Sequence, residues 1–90
     1  MTVEIAVEPT PNPQAMKFTL NHAITTKGIS VNNRESATIY PLAQKLFAVP
    51  GIKSLYMMHN FISVTKDPSA SWETLTPAIH TVITSHYTSS

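Results

Sequence analysis

The 90-residue sequence contains no cysteine and only two glycines, Gly28 and Gly51. The first absence excludes a disulfide framework and thiolate metal ligation by these residues. The second leaves no glycine-rich phosphate cradle: neither G-x-x-x-x-G-K nor G-x-G-x-x-G occurs. No apolar run nears the roughly 18 residues that span a bilayer. The N-terminal MTVEIAVEP lacks the basic region and long apolar core of a signal peptide. Charge is scarce too, at 12% of residues and a formal net +1. The basic residues Lys17, Lys27, Arg34, Lys45, Lys53 and Lys66 are scattered, which gives no electrostatic footprint for nucleic acid or an anionic membrane. A cysteine-free chain suits a reducing compartment, and the expected location is cytoplasmic.

Proline is what the chain has in quantity. Pro9, Pro11 and Pro13 fall within five positions. Before them Val3, Ile5 and Val7 alternate with Thr2, Glu4, Ala6 and Glu8, a period that predicts a strand over 2–8 with one wet face. Pro9 ends it, because proline lacks the ladder donor. The prolines then make a rigid extended connector, and Met16, Phe18 and Leu20 resume the alternation. Residues 21–38 are polar, with a short edge strand over Gly28-Ile29-Ser30-Val31.

Two amphipathic helices are predicted. In the first, over 40–49, Pro41 takes the first helical position, where its missing N–H costs nothing. Leu42, Ala43, Leu46 and Phe47 form its apolar stripe, and Pro50-Gly51 stops it. The second covers 72–87, with Ser71 as N-cap and Trp72, Leu75, Ile79, Val82, Ile83 and Tyr87 on one face. Pro77 lies more than a turn inside, which predicts a kink or a loosened first turn. Between the helices, Ile52–Met57 and Phe61–Thr65 read as a hairpin. Its turn is His59-Asn60, where asparagine tolerates the positive φ such turns require. Ile62 and Val64 point inward, and Lys66 is placed outside.

These elements give a single α+β domain over 1–90, with an ordered core at 1–87 and a frayed tail at 88–90. The expected architecture is a two-layer sandwich. A mainly antiparallel sheet of three to four strands carries two helices on one face, in the order β-β-(β)-α-β-β-α. A chain of this size buries roughly 60–65% of its unfolded surface, which leaves little room for an enclosed substrate cavity.

No constellation points to catalysis. His22, His59, His80 and His86 are scattered, and His80 and His86, six apart, face different ways on a helix. Glu4 and Glu8 sit on the wet face of a strand, Glu73 favours the positive end of a helix dipole, and Asp67 adjoins Pro68 in a loop. G-x-S-x-G does not occur. No catalytic, cofactor-binding or metal-ligating residue is assigned. The methionine-rich turn is different. Met57, Met58, His59 and Phe61, with Trp72, are the candidate protein-contact residues, because two methionines and an aromatic beside a turn make an adaptable apolar surface. For Met57, Met58, Phe61 and Trp72 a place in the core is the competing assignment.

Three segments, in order and spacing, resemble the N-terminal domain of the Nfu/NifU-like iron–sulfur cluster scaffold proteins. The first is Thr10-Pro11-Asn12-Pro13 followed by Met16-Lys17-Phe18. The second runs through Pro41-Leu42-Ala43-Gln44-Lys45-Leu46-Phe47, Pro50-Gly51-Ile52-Lys53-Ser54-Leu55 and Phe61-Ile62-Ser63-Val64-Thr65-Lys66. The third is Trp72-Glu73-Thr74-Leu75 with Pro77-Ala78-Ile79.

The resemblance implies that the proline stretch joins the first two strands, and that the domain serves iron–sulfur cluster assembly or delivery. Longer members carry a second domain whose Cys-x-x-Cys thiolates hold the cluster. This sequence has no such pair, and histidines alone substitute poorly for soft thiolates. The expectation is a free-standing, non-catalytic module without a bound cofactor. It would meet a cluster only through a scaffold, carrier or recipient protein, as a monomer or weak dimer. His59-Asn60 also departs from the family, in which an acidic residue commonly precedes the position of Phe61. A small metal-binding protein or enzyme and a dimerisation module are the alternatives.

Overall fold

Strand alternation and two amphipathic stripes assemble here into a sheet with helices on one side. The computed structural model describes residues 3–88, and of Arg34 and Thr88 the backbone alone. Thr2, placed in the first strand by its alternation, lies outside the described residues. So does the expected tail, except Thr88, which ends the last helix.

The elements run β1 Ile5–Pro9, β2 Ala15–Leu20, β3 Thr25–Val31, α1 Arg34–Ala37, α2 Pro41–Phe47, β4 Ile52–His59, β5 Phe61–Lys66 and α3 Trp72–Thr88. The five strands form one antiparallel sheet in the order β1-β2-β5-β4-β3. The fold class is the expected one, with a larger sheet. β3 is a full edge strand that begins three residues before the predicted one, and it carries a register shift between Thr25 and Ile29. α1 was not anticipated. Its cap is Asn33, whose Oδ1 accepts the Ser36 N–H at 2.7 Å.

Cross-strand partners share a face, so the register sorts the side chains. Phe18 opposes Ile62, Met57 opposes Ile62 from the other side, Leu55 opposes Val64, and Val31 opposes Leu55. All of these are buried in one cluster with Leu42, Ala43, Leu46 and Phe47 of α2 and Leu75, Ile79 and Ile83 of α3. The helices therefore cover this face of the sheet.

α2 starts as predicted, with Pro41 in its first turn and Tyr40 as N-cap. α3 also starts as predicted, and the Ser71 Oγ accepts the Glu73 N–H at 3.2 Å. α3 runs unbroken through Pro77, whose side is exposed to solvent. The proline leaves the Glu73 carbonyl without its i+4 donor but stays within one element.

Lys66 overturns its expected place outside. It continues the inward parity of Ile62 and Val64 and is only 9% exposed. Its Nζ donates to Gln14 Oε1 at 3.0 Å, a polar partner that makes burial of the amine tolerable.

Candidate interaction surface

The opposite face of the sheet carries Tyr56 and Met58 from β4, Phe61 from β5, and Lys17 and Thr19 from β2. The pairs Tyr56–Ser63, Met58–Phe61, Thr19–Phe61 and Lys17–Ser63 set these side chains side by side. Tyr56 donates its hydroxyl to Met58 Sδ at 3.3 Å. The Tyr56 and Phe61 ring centroids lie 6.2 Å apart at 47°, within the range in which aromatic pairs attract. Lys17 Nζ stands 4.7 Å from the Phe61 centroid, a cation–π distance. Gly28 of β3 makes room for the group: a Cβ there would lie 2.5 Å from the Tyr56 hydroxyl oxygen. Tyr56 remains 37% exposed. The result is a small apolar platform with one ammonium at its rim, and no described helix packs on it.

Of the five residues predicted to meet a partner, the structure gathers three near the hairpin. Met58 and Phe61 lie on the open face, and His59 is exposed in the turn. Met57 is a correction. It is 2% exposed and packs in the core, because side chains one residue apart on a strand point to opposite faces. Trp72 is a second correction, because it does not sit with the others. Its Nε1 donates to the Pro13 carbonyl at 3.1 Å, beside the start of β2, whereas the hairpin turn adjoins the end of β2. Sequence reasoning left out Lys17 and Thr19, which only the pairing of β2 with β5 brings alongside Phe61.

The turn also differs in detail. The residue with positive φ is His59, at 53°, not Asn60. Asn60 instead ties the hairpin to β2. Its Nδ2 donates to the Leu20 carbonyl at 2.9 Å, and its own carbonyl accepts the Leu20 N–H at 2.7 Å. The His59 carbonyl accepts the Ile24 N–H at 2.6 Å, so this left-handed residue also anchors the entry to β3.

The remaining histidines go separate ways. His86 Nδ1 lies 3.2 Å from Lys45 Nζ, and burial, with the Lys45 charge second, lowers the His86 pKa below its ordinary 6.5. His80 Nδ1 is 3.5 Å from Thr84 Oγ1 on its own helix. Among the described residues, no three His, Cys, Asp or Glu side chains gather as a metal site. No described helix is long and apolar enough to cross a membrane.

Comparison with known proteins agrees with this architecture. The family described as "Scaffold protein Nfu/NifU N terminal" matches residues 5–90. NifU-like protein 5, mitochondrial, of Arabidopsis thaliana is 32% identical over 89 residues, covering 98% of this chain and 32% of its own. The NFU1 iron-sulfur cluster scaffold homolog, mitochondrial, of Drosophila willistoni is 31% identical over 90 residues, covering 98% of this chain and 31% of its own. The chain thus spans about a third of the length of these curated relatives. The solution structure of a NifU-like protein from Saccharomyces cerevisiae superposes with a TM-score of 0.83 at 27% identity, over 99% of this chain and 82% of that one. On the matched family and the shared fold together, this chain belongs to the Nfu/NifU scaffold N-terminal domain family.

Proposed function

We propose that this chain acts as a single non-catalytic docking domain in iron–sulfur cluster assembly or delivery. A cluster scaffold, carrier or recipient protein would sit on the open sheet face around Tyr56, Met58 and Phe61. The observation that carries this reading is the aromatic–methionine platform of β4 and β5 in a domain of the scaffold family. Thioethers and aromatic rings suit a contact surface because they adapt their shape and bury much area. These residues include no cysteine, so the cluster is cargo held by the partner's thiolates rather than a cofactor of this domain. A monomer or weak dimer, and a cytoplasmic location, belong to the same reading.

The test is anaerobic capture from the native cytosol with the untagged chain immobilised, beside a Met58→Asp variant. Met58 is half-buried on the open face, so the variant keeps the core intact. Enrichment of iron–sulfur assembly proteins by the parent, lost in the variant, supports the proposal. Equal capture by both, or a coloured, stoichiometric iron–sulfide centre on the isolated chain, refutes it.

A further inference from the structure

A cleft of about 190 Å³ opens between the β3 edge, the start of α2 and the end of α3. Its floor is apolar, made by Ile24, Ile29, Leu42 and Met57. These side chains belong to the helix-covered side of the sheet, so the cleft is separate from the open face. An apolar cavity of about 150 Å³ suffices to admit benzene, so this one has room for a compact hydrocarbon group.

The rim is polar, and a cation stands just behind it. His86 lines the cleft and meets Lys45 Nζ at 3.2 Å. An ammonium can only donate, so His86 Nδ1 accepts and its ring proton resides on Nε2. Tyr87 stands edge-on to His86, with centroids 4.9 Å apart, and His22 closes on the same ring at 4.8 Å. Tyr40, the N-cap of α2, completes the wall. The sequence has five acidic residues, and none of them lines the cleft. Among the described residues no carboxylate contributes to the His86 shift, whose first cause is burial and second the Lys45 charge. An imidazole at the mouth of an apolar hollow, with the Lys45 ammonium behind its Nδ1 and no acidic side chain among the described lining residues, matches an anion that has an apolar tail.

We propose that this cleft binds a small monocarboxylate, its tail of about four to six carbons against Ile24, Ile29, Leu42 and Met57 and its carboxylate at Lys45 and His86. The site does not depend on the docking role of the open face.

Isocaproate and its neutral amide, titrated into the full chain at neutral pH and followed by methyl and imidazole NMR signals, test it. Isocaproate should give saturable shifts at Ile24, Ile29 and Met57 and raise the pKa of His86. The amide should bind about five-fold more weakly, the worth of one charge-assisted contact. Lys45 is exposed, so a Lys45→Gln variant stays folded, and it should bring isocaproate down to the affinity of the amide. No saturable shift at these methyls, equal binding of acid and amide, or unchanged isocaproate binding in Lys45→Gln would each overturn the proposal.

Discussion

The Trp72 indole donates to the Pro13 carbonyl at 3.1 Å, joining residues 59 positions apart. The prolines of this corner bring no donors of their own, so their neighbours supply the bonds. Thr10 Oγ1 lies 2.9 and 3.0 Å from the Asn12 and Ala15 carbonyls, and Asn12 Oδ1 accepts the Gln14 N–H at 3.0 Å. Gln14 then receives both the Lys66 N–H, at 2.8 Å, and the Lys66 ammonium. The proline stretch is thus a braced crossing between β1 and β2, fastened to the start of α3.

Replacing Trp72 with phenylalanine keeps an aromatic ring and deletes the donor. Water can reach the exposed Pro13 carbonyl, so the loss is expected at the low end for a hydrogen bond, about 0.5–1 kcal/mol. A urea midpoint that moves down by that amount with an unchanged slope is the expected result. An unmoved midpoint would show that the bond contributes nothing.

His59 occupies the left-handed region at φ 53°. A β-branched side chain is poorly tolerated there, so His59→Val should destabilise the fold by about 1–2 kcal/mol. His59→Gly relieves the strain and should lose little or gain. Thermal unfolding of the two variants should separate in that order.

Thr19 Oγ1 is buried without a hydrogen-bond partner. Valine has nearly the same shape and favours a strand. Thr19→Val removes an unpaired hydroxyl and should raise stability by up to about 1 kcal/mol. A drop in melting temperature would mean that the hydroxyl is satisfied in solution.

Acid should weaken the fold in two stages. The folded pKa of His86 lies below 6.5 because of burial and Lys45, so the unfolded chain binds its proton more readily. Stability from this site is complete above pH 6.5 and falls as the pH drops below it. His86→Gln should flatten that part of the profile. Asp67 acts lower: hydrogen bonds from the Ser69 backbone and hydroxyl depress its pKa below 3.8. Its contribution is present above that value and is lost as the pH falls through the folded pKa. Chemical unfolding across the acid range, with and without His86→Gln, checks both stages.

Much of the fold was legible because local patterning and tertiary burial agree. Phe18, Leu20, Ile62 and Val64 fall inward as their alternation requires, and Leu75, Ile79 and Ile83 as helical spacing requires. Val7, in one alternation with the buried Val3, is instead exposed on the edge strand β1. Pro41 and Ser71 mark helix starts through local chemistry alone, a missing N–H in the one and a side-chain hydroxyl acceptor in the other. α1 escaped notice because a four-residue helix has too few positions to show a period. Of the residues expected on one surface, Met58 and Phe61 share the open face and His59 is exposed beside them, while Met57 is buried and Trp72 lies at the other end of β2.

The sequence by itself determined the existence of the strands, the starts of α2 and α3 and the absence of thiolate ligands from these residues, since each follows from side-chain type and spacing. It did not set every boundary, for β1 runs Ile5–Pro9 with Pro9 paired to Met16 rather than ending before it. Tertiary structure alone decided that Lys66 is buried against Gln14, that Lys17 reaches Phe61, and that Lys45 meets His86 across 41 positions. Those contacts depend on which strands and helices become neighbours, and that choice is made by the whole core rather than by any one segment.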